Sequence, residues 1–456
     1  MNKERGYVVQ KILVANRGEI ASRIIRTCKE MGIQTIAIYS DADKDMPYVA
    51  EADSAFRIGE PPVNKSYLQT DTILDIAVRE GAEGIHPGYG LLSENSDFAR
   101  KTRDRGITFI GPSAEVMEMM GDKVAARKTM IAANVPVVPG SEGGVASIEE
   151  AKEVAQSIGY PVMLKASSGG GGIGMIRCND EQALVQSFDS TKNRAKAYFG
   201  HDEVFLEKCI DDARHIEVQI FGDEKGNIIH LFERNCSVQR RNQKVIEEAP
   251  SPQLSHEAKE RMFEAAVRAG RAVNYVNAGT VEFIVDSEEN FYFLEMNTRL
   301  QVEHPVTESI TNLDLVKWQV LVSRGEELPI SSQEAIRCDG HALEFRVYAE
   351  DPKTFFPSPG NISSIKWGTA KNVRIDTGYE QGNNVTPFYD PMISKVIIYG
   401  STREECVREA IKFFEDTEIQ GVKTNIPLFR EVLKEESFQD GSYNTAWLSS
   451  RKTVNN

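Results

Sequence analysis

Long hydrophobic runs, paired cysteines and any excess of basic charge are missing from this chain of 456 residues. Its longest apolar stretches run to a few residues, against the ~20 a membrane helix needs. Met1 to Gly18 has no apolar core of the kind that targets a chain for export, so a cytoplasmic protein is expected. The six cysteines, Cys28, Cys178, Cys209, Cys236, Cys338 and Cys406, form no CxxC and have no histidine at ligand spacing. They are expected as reduced thiols, mostly buried. With 53 Lys and Arg against 68 Asp and Glu, a net charge of −15 repels a phosphate backbone and offers no polybasic face to anionic lipid. Neither nucleic acid nor a membrane surface is expected as a partner. The 41% apolar content is ample for a packed fold, with length for roughly three domains of ~150 residues.

Short apolar runs alternate with amphipathic stretches at 11–15, 19–31 and 34–40, then at 67–80, 84–86, 97–105 and 108–110. That rhythm predicts βαβ units, so residues 1–120 read as a doubly wound α/β domain with a parallel sheet. A helix-rich bridge over 114–133 and turns at Pro136 and Pro139 lead to a helix over 148–158 and a strand over 161–166. Beyond Val204 the pattern turns to strand, at 204–207, 215–221, 228–234, 280–286 and 291–297, with a helix over 255–273. Residues 121–330 therefore read as a central α+β domain. The remainder, 331–456, reads as a smaller α+β domain with strands at 343–349, 374–376 and 394–399 and a helix over 402–414.

Between two apolar segments lies Ser168-Gly169-Gly170-Gly171-Gly172-Ile173-Gly174. A GxGxxG spacing is present, but a dinucleotide fingerprint needs a helix next, and here a second short strand follows. No Lys-Ser/Thr follows either, which excludes a Walker loop. A hairpin with a glycine tip fits better, its backbone N–H groups able to close over a polyphosphate. A plain surface turn is the alternative.

Residues 280–297 read as a hairpin with a four-residue loop. Pairing Asp286 with Phe291 sets Glu282 directly across from Glu295 on one face, with Asn297 two residues on. Opposed like charges destabilise a sheet, and an oxygen-rich pair of this kind suits Mg2+ or Mn2+. A solvated hairpin edge is the alternative. The alternation continues through Arg299, Gln301 and Glu303, which share that face if the chain stays extended to His304 and Pro305. Arg299 would grip a small oxyanion and Glu303 act as its general base. Arg240, Arg241 and Lys244 form a local basic cluster that could neutralise phosphate or bicarbonate, or simply face solvent.

Seven segments together resemble the biotin carboxylase family of ATP-grasp ligases: 11–20 (KILVANRGEI), 86–95 (HPGYGLLSEN), 120–123 (MGDK), 165–175 (KASSGGGGIGM), 236–244 (CSVQRRNQK), 295–304 (EMNTRLQVEH) and 389–395 (YDPMISK). The resemblance covers nearly the whole chain. It implies an N-terminal biotin carboxylase domain at 1–120, an ATP-grasp domain at 121–330 with a lid at about 138–210, and a C-terminal domain at 331–456. The implied reaction is ATP-dependent carboxylation of biotin by bicarbonate. The family pattern assigns Lys123, Lys165, Gly169, Gly170, Gly171, Gly172 and Met175 to the phosphate end of ATP. Glu207, Lys208 and the Ile210 backbone would surround adenine, with His215, Gln239 and Asn242 completing the nucleotide site. Glu282, Glu295 and Asn297 match the positions that hold two Mg2+ or Mn2+ ions. Lys244, Arg299, Gln301 and the Val302 backbone match the bicarbonate pocket, Glu303 the base, and Arg346 the group facing the biotin ureido oxygen. Ile173 stands where relatives often carry a basic residue and Asn242 where many carry histidine, so two positive charges are lost near the phosphates.

No Ala-Met-Lys-Met segment that could accept biotin occurs in the 456 residues. A separate biotin carboxyl carrier protein and one or more carboxyltransferase subunits are therefore the expected partners, and the family implies a homodimer. The expected assembly is an acyl-CoA carboxylase of the acetyl-CoA or propionyl-CoA type, with a two-subunit pyruvate carboxylase as the alternative. Another ATP-grasp ligase and a regulatory ATP-binding subunit without turnover are the remaining rivals.

Overall fold

A computed structural model describes residues 9–167 and 175–451. The glycines expected to form the lid, Gly169–Gly172, and Ile173 lie outside the described residues. The first unit is a parallel sheet of β1 (Lys11–Val14), β2 (Gln34–Ser40), β3 (Ser54–Gly59), β4 (Gly84–His86) and β5 (Thr108–Phe109), in the order β3-β2-β1-β4-β5. Its central strand is buried on both sides, as a nearly continuous apolar run requires. Ile12 and Val14 pack towards Ile20 and Ile24 of the helix Gly18–Glu30. Leu13 packs towards Ile73 and Phe98 on the other face.

Helices Ala114–Gly121 and Lys123–Ala132 make up the expected helix-rich bridge. Asp122 separates them because its Oδ1 accepts from the N–H groups of Val124 and Ala125, capping the second helix and setting Lys123 at its first turn. A cap of this kind contributes about 1 kcal/mol. A small antiparallel sheet of β6 (Val162–Ala166), β7 (Met175–Cys178) and β8 (Val204–Lys208) follows in the order β7-β6-β8, backed by the helices Ile148–Ile158 and Glu181–Phe199.

The largest sheet combines β9 (Arg214–Gly222), β10 (Ile228–Arg240), β11 (Gln243–Ala249), β12 (Asn277–Val285) and β13 (Phe291–Asn297) with β14 (His341–Tyr348) from the last third of the chain. Two short pairs, β15 (Gly360–Asn361) with β18 (Asn384–Val385) and β16 (Ser364–Lys366) with β20 (Glu418–Gln420), lie outside it. The last members are β17 (Val373–Thr377) and β19 (Met392–Gly400), giving the order β13-β12-β9-β10-β11-β14-β19-β17. Hydrogen bonding thus runs unbroken from residues of the central third to those of the last third, through the β11–β14 pair. Ile216, Val218 and Ile220 of β9 pack under Met262 and Ala266 of the helix His256–Ala272. Alternation then turns His215, Glu217 and Gln219 to the opposite face. At the far end Phe345 and Val396 pack against Phe413 and Phe414.

Three expectations about the strands need correction. The strand expected at 228–234 runs on to Arg240 and turns into β11 through Arg241 and Asn242, both at positive φ (49° and 62°), the conformation of a two-residue type I′ hairpin. The β12–β13 turn has three residues, with the Asp286 N–H donating to the Asn290 carbonyl and Glu289 at φ 63°. Val285, not Asp286, opposes Phe291, and one extra residue in β13, Leu294, restores the expected register, so Glu282 still faces Glu295 and Thr280 faces Asn297. Finally, the extended chain stops at Asn297: residues 298–303 are irregular and a helix, His304–Thr311, begins directly after Glu303. All six cysteines are free, and Cys28, Cys178, Cys236 and Cys406 are buried.

Candidate active site

A cleft of about 510 Å3 opens between the small three-stranded sheet and the cleft-facing side of the large one. It is lined at one end by Lys123, Lys165, Met175, Glu207, Lys208 and Ile210, and beyond them by His215, Gln239 and Asn242. The other end is lined by Lys244, Glu282, Glu295, Asn297, Arg299, Gln301, Val302 and Arg346. Glu303 does not line the cleft; it is fully buried just behind it, held by Lys244 and Arg346. Every described residue proposed from sequence is therefore brought to one place.

Acids stand in a row across three neighbouring strands. Glu217 of β9 opposes Glu282 of β12, and Glu282 opposes Glu295 of β13. Lys244 answers this row: its Nζ donates to Glu217 Oε2 at 2.6 Å, Glu282 Oε1 at 2.9 Å and Glu303 Oε1 at 2.7 Å. Burial opposes the charge on Lys244, yet Glu217, Glu282 and Glu303 outweigh it and raise its proton affinity well above that of free lysine. On Glu282 burial favours the neutral acid, and Lys244 and His215, whose Nε2 is 2.9 Å away, reverse that and hold the carboxyl far below its usual range. Glu295 goes the other way, raised by burial and then by the facing Glu282, against the weaker pull of Lys123. One carboxylate of the pair is therefore reluctant to ionise without a further cation, and the donor set of carboxylate and amide oxygens fits a hard divalent ion. His215 adds a ring nitrogen to this set, falling with Glu217 and Glu282 in a group of potential ligands within 4.8 Å of one another.

The irregular segment after β13 is tied by its own polar groups. Arg299 donates from Nη2 to Asn297 Oδ1 at 3.1 Å and from Nη1 to Gln301 Oε1 at 2.9 Å, and Gln301 Nε2 donates to Glu282 Oε1 at 3.0 Å. The residues expected to share a strand face are thus gathered by a turn instead. Arg346 Nη2 lies 3.0 Å from Glu303 Oε2 and 2.6 Å from Glu247 Oε1. Burial alone would push the Glu303 carboxyl up, but Lys244, Arg346 and Arg234 together hold it well below the usual carboxylate range. The basic cluster splits. Lys244 enters the site, Arg240 pairs with Glu350, and Arg241 lies over Phe356.

Several residues that position the site escaped the sequence reading. Glu217, which bridges Lys244 and the fully buried Arg234, sits in a strand otherwise read as apolar alternation. Glu94 Oε2 accepts from Arg299 Nε at 2.9 Å, and its Oε1 accepts from the Thr298 N–H at 3.0 Å, reaching across from the first unit. Glu247 has its carboxyl pushed up to about 7 by burial, against Arg346. Arg127, 3.6 Å from Glu207, completes that end of the cleft. Parity with His215 along β9 is the signal that could have found Glu217; the others are joined only by tertiary contact.

Comparison with known proteins agrees with this geometry. Residues 8–117 match the family described as biotin carboxylase, N-terminal domain, residues 122–331 the carbamoyl-phosphate synthase L chain, ATP binding domain, and residues 344–450 the biotin carboxylase C-terminal domain. A biotin carboxylase of Halalkalibacterium halodurans is 52% identical over 98% of both chains. A pyruvate carboxylase subunit from Methanothermobacter thermautotrophicus is 49% identical over 95% of this chain and 88% of its own. The biotin carboxylase domain of Hydrogenobacter thermophilus 2-oxoglutarate carboxylase, solved as a dimer with MgADP, ADP and bicarbonate, superposes with a TM-score of 0.93 at 48% identity, covering 96% of this chain and 97% of that one. With its parallel first unit, its antiparallel ATP-grasp body and this cleft, the chain belongs to the biotin carboxylase family, ATP-dependent ligases that carboxylate biotin.

Proposed function

We propose that this chain carries out the first half-reaction of an acyl-CoA carboxylase, moving bicarbonate carbon onto biotin held by a separate carrier protein. The observation that carries the reading is Glu303, buried between Lys244 and Arg346 at the end of a cleft whose middle is a row of opposed acids. Lys123, Lys165, Met175 and Gly169–Gly172 are assigned to the ATP phosphates. Glu207, Lys208 and Ile210 are assigned to adenine, and His215, Gln239 and Asn242 to the rest of the nucleotide. Glu282, Glu295 and Asn297 would hold Mg2+ or Mn2+, two ions with ATP, whose positive charge would neutralise the triphosphate.

Lys244, Arg299, Gln301 and the Val302 backbone are assigned to bicarbonate, and Glu303 to its proton. With Lys244 and Arg346 both turned to it, Glu303 is a weak base. An anion arriving between Lys244 and Arg299 competes for those cations, so the proton affinity of Glu303 rises as its substrate binds. The resulting carbonate oxygen attacks the γ-phosphorus, ADP leaves, and carboxyphosphate forms. It breaks to CO2 and phosphate; the phosphate takes the N1 proton of biotin while Arg346 stabilises the ureido oxygen as N1 bonds to CO2. Closure against water matters because carboxyphosphate hydrolyses.

The decisive assay is ADP release by the purified chain with bicarbonate and free biotin. Release that depends on bicarbonate and rises with biotin is expected; release indifferent to both would overturn the reading in favour of another ATP-grasp ligase, and no release would favour a regulatory chain without turnover. The final acceptor is set by the transferase. Acetyl-CoA or propionyl-CoA is the proposed class and pyruvate the alternative, since the relatives include a pyruvate carboxylase subunit. Reconstitution with the carrier and transferase and comparison of those acceptors decides between them. A homodimer is also proposed, to be checked by light scattering.

A further inference from the structure

Three of the sequence motifs, at 11–20, 86–95 and 389–395, supply no lining to the cleft. Their side chains meet instead behind Val302 and Glu303. Asn16 Nδ2 donates to the carbonyls of Pro87 at 2.6 Å and Tyr89 at 2.8 Å, which fixes the turn carrying Tyr89. The Tyr89 hydroxyl donates to Glu19 Oε1, and the same oxygen lies 3.2 Å from Lys395 Nζ. Lys395 is fully buried, and its Nζ donates to the Val302 carbonyl at 2.9 Å.

Lys395 also occupies a telling place in the sheet. It pairs directly across from Arg346 on β14 and from Asp376 on β17. Two buried cations side by side on one face weaken a sheet, as the opposed glutamates do at its other end. Here the neighbours grip successive parts of one segment, Lys395 the Val302 carbonyl and Arg346 the Glu303 carboxylate. Glu19 and Asp376 supply the compensating charge; Glu344, which also faces Lys395, is buried with both oxygens unpartnered, and burial pushes its carboxyl well up towards the neutral acid. Because Lys395 does not reach the cleft, it has no substrate to touch.

We infer that Lys395 is a positioning residue for Glu303: it fixes the Val302–Glu303 peptide, and Glu19 and Tyr89 of the N-terminal unit hold it in place. The inference rests on Glu303 being the base. It makes the first unit, through Glu19, part of the apparatus that aims a side chain of the central unit, with the strand β19 as go-between.

The test is the full-length Lys395→Met protein assayed for bicarbonate-dependent ADP formation across pH, with ATP binding measured separately. A displaced base should lower turnover about 10- to 100-fold. The loss should shrink as pH rises from about 7 to about 9, where hydroxide can take the proton that Glu303 no longer reaches. The KM for ATP should stay within about twofold, since uniform binding of the nucleotide is untouched. Glu19→Gln should show the same pattern more weakly, and decides the matter if Lys395→Met does not fold. Unchanged bicarbonate turnover, a loss equal at every pH, or a parallel loss of ATP affinity would overturn the inference. Wild-type ADP release that ignores bicarbonate would instead overturn the base assignment beneath it.

Discussion

Like charges set against one another carry most of the meaning at the level of single residues. Glu217, Glu282 and Glu295 in one row, and Arg346 beside Lys395 in another, weaken the sheet unless opposite charge is brought to them. Lys244 meets Glu217, Glu282 and Glu303 at once, and its loss would leave three buried carboxylates repelling one another. Glu303→Gln keeps shape and removes the base, so bicarbonate-dependent ADP formation should fall by about 10²- to 10⁴-fold, with ATP affinity retained in a calorimetric titration. Near-normal turnover would defeat the role given to Glu303. Glu295→Gln removes a charge from the opposed pair. The Mg2+ concentration for half-maximal activity should rise at least about tenfold, and an unchanged Mg2+ titration would remove Glu295 from the metal site.

Turns and bulges decide which residues face the cleft at the level of elements. A strict two-residue alternation would have placed Glu282 and Glu295 together for the wrong reason, because the register at the β12–β13 turn is offset by one and Leu294 restores it. A slip of one residue turns every side chain of a strand over, so this single extra residue determines whether the acids meet. The β10–β11 turn is as demanding. With Arg241 and Asn242 both left-handed, Asn242→Val should lower stability by about 1–2 kcal/mol in chemical denaturation, while Asn242→Gly should be nearly neutral. Equal stability for both variants would mean that the turn relaxes to another form.

Across the whole molecule, the large sheet makes the ATP-grasp body and the last third of the chain one hydrogen-bonded unit, and the first unit reaches the site through Glu94 and Glu19. A second buried charge cluster ties the last third to the body. Glu248 of β11 meets His341 of β14 at 2.6 Å and Arg403 of the helix Arg403–Asp416 at 2.7 Å, and accepts from the Tyr443 hydroxyl. Burial favours its neutral form, but the hydrogen bonds from His341 and the charge of Arg403 prevail, holding the carboxyl at about 2. A depressed acid stabilises the fold above its unfolded value and loses that contribution as pH falls towards the folded one. The stability advantage of the wild type over Glu248→Gln should therefore be full above the ordinary glutamate range of roughly 4.3 and close towards pH 2, by an amount on the order of 3 kcal/mol. Urea midpoints that differ equally at all pH values would contradict it.

Alternation of apolar and polar residues was enough to mark the parallel first unit and most strands of the body, though not β11, because those features depend on neighbours close along the chain. The facing of Glu282 and Glu295, by contrast, needed the extra residue Leu294 to restore the expected register. The motifs carried the family, and with it the residues that line the cleft. Neither source reached Glu94, Glu247, Arg127 or Lys395 as parts of the site, since each acts on a partner tens to hundreds of residues away and local sequence holds no trace of the distance. Folding also replaced the expected strand at 298–303 by a turn. Arg299 and Gln301 bond to Asn297 and Glu282 there, and these side-chain hydrogen bonds compete with a strand ladder that has no partner on its outer edge. The kinds of groups present were thus legible in order along the chain, whereas their convergence on one buried carboxylate came from segments far apart in sequence packing around it.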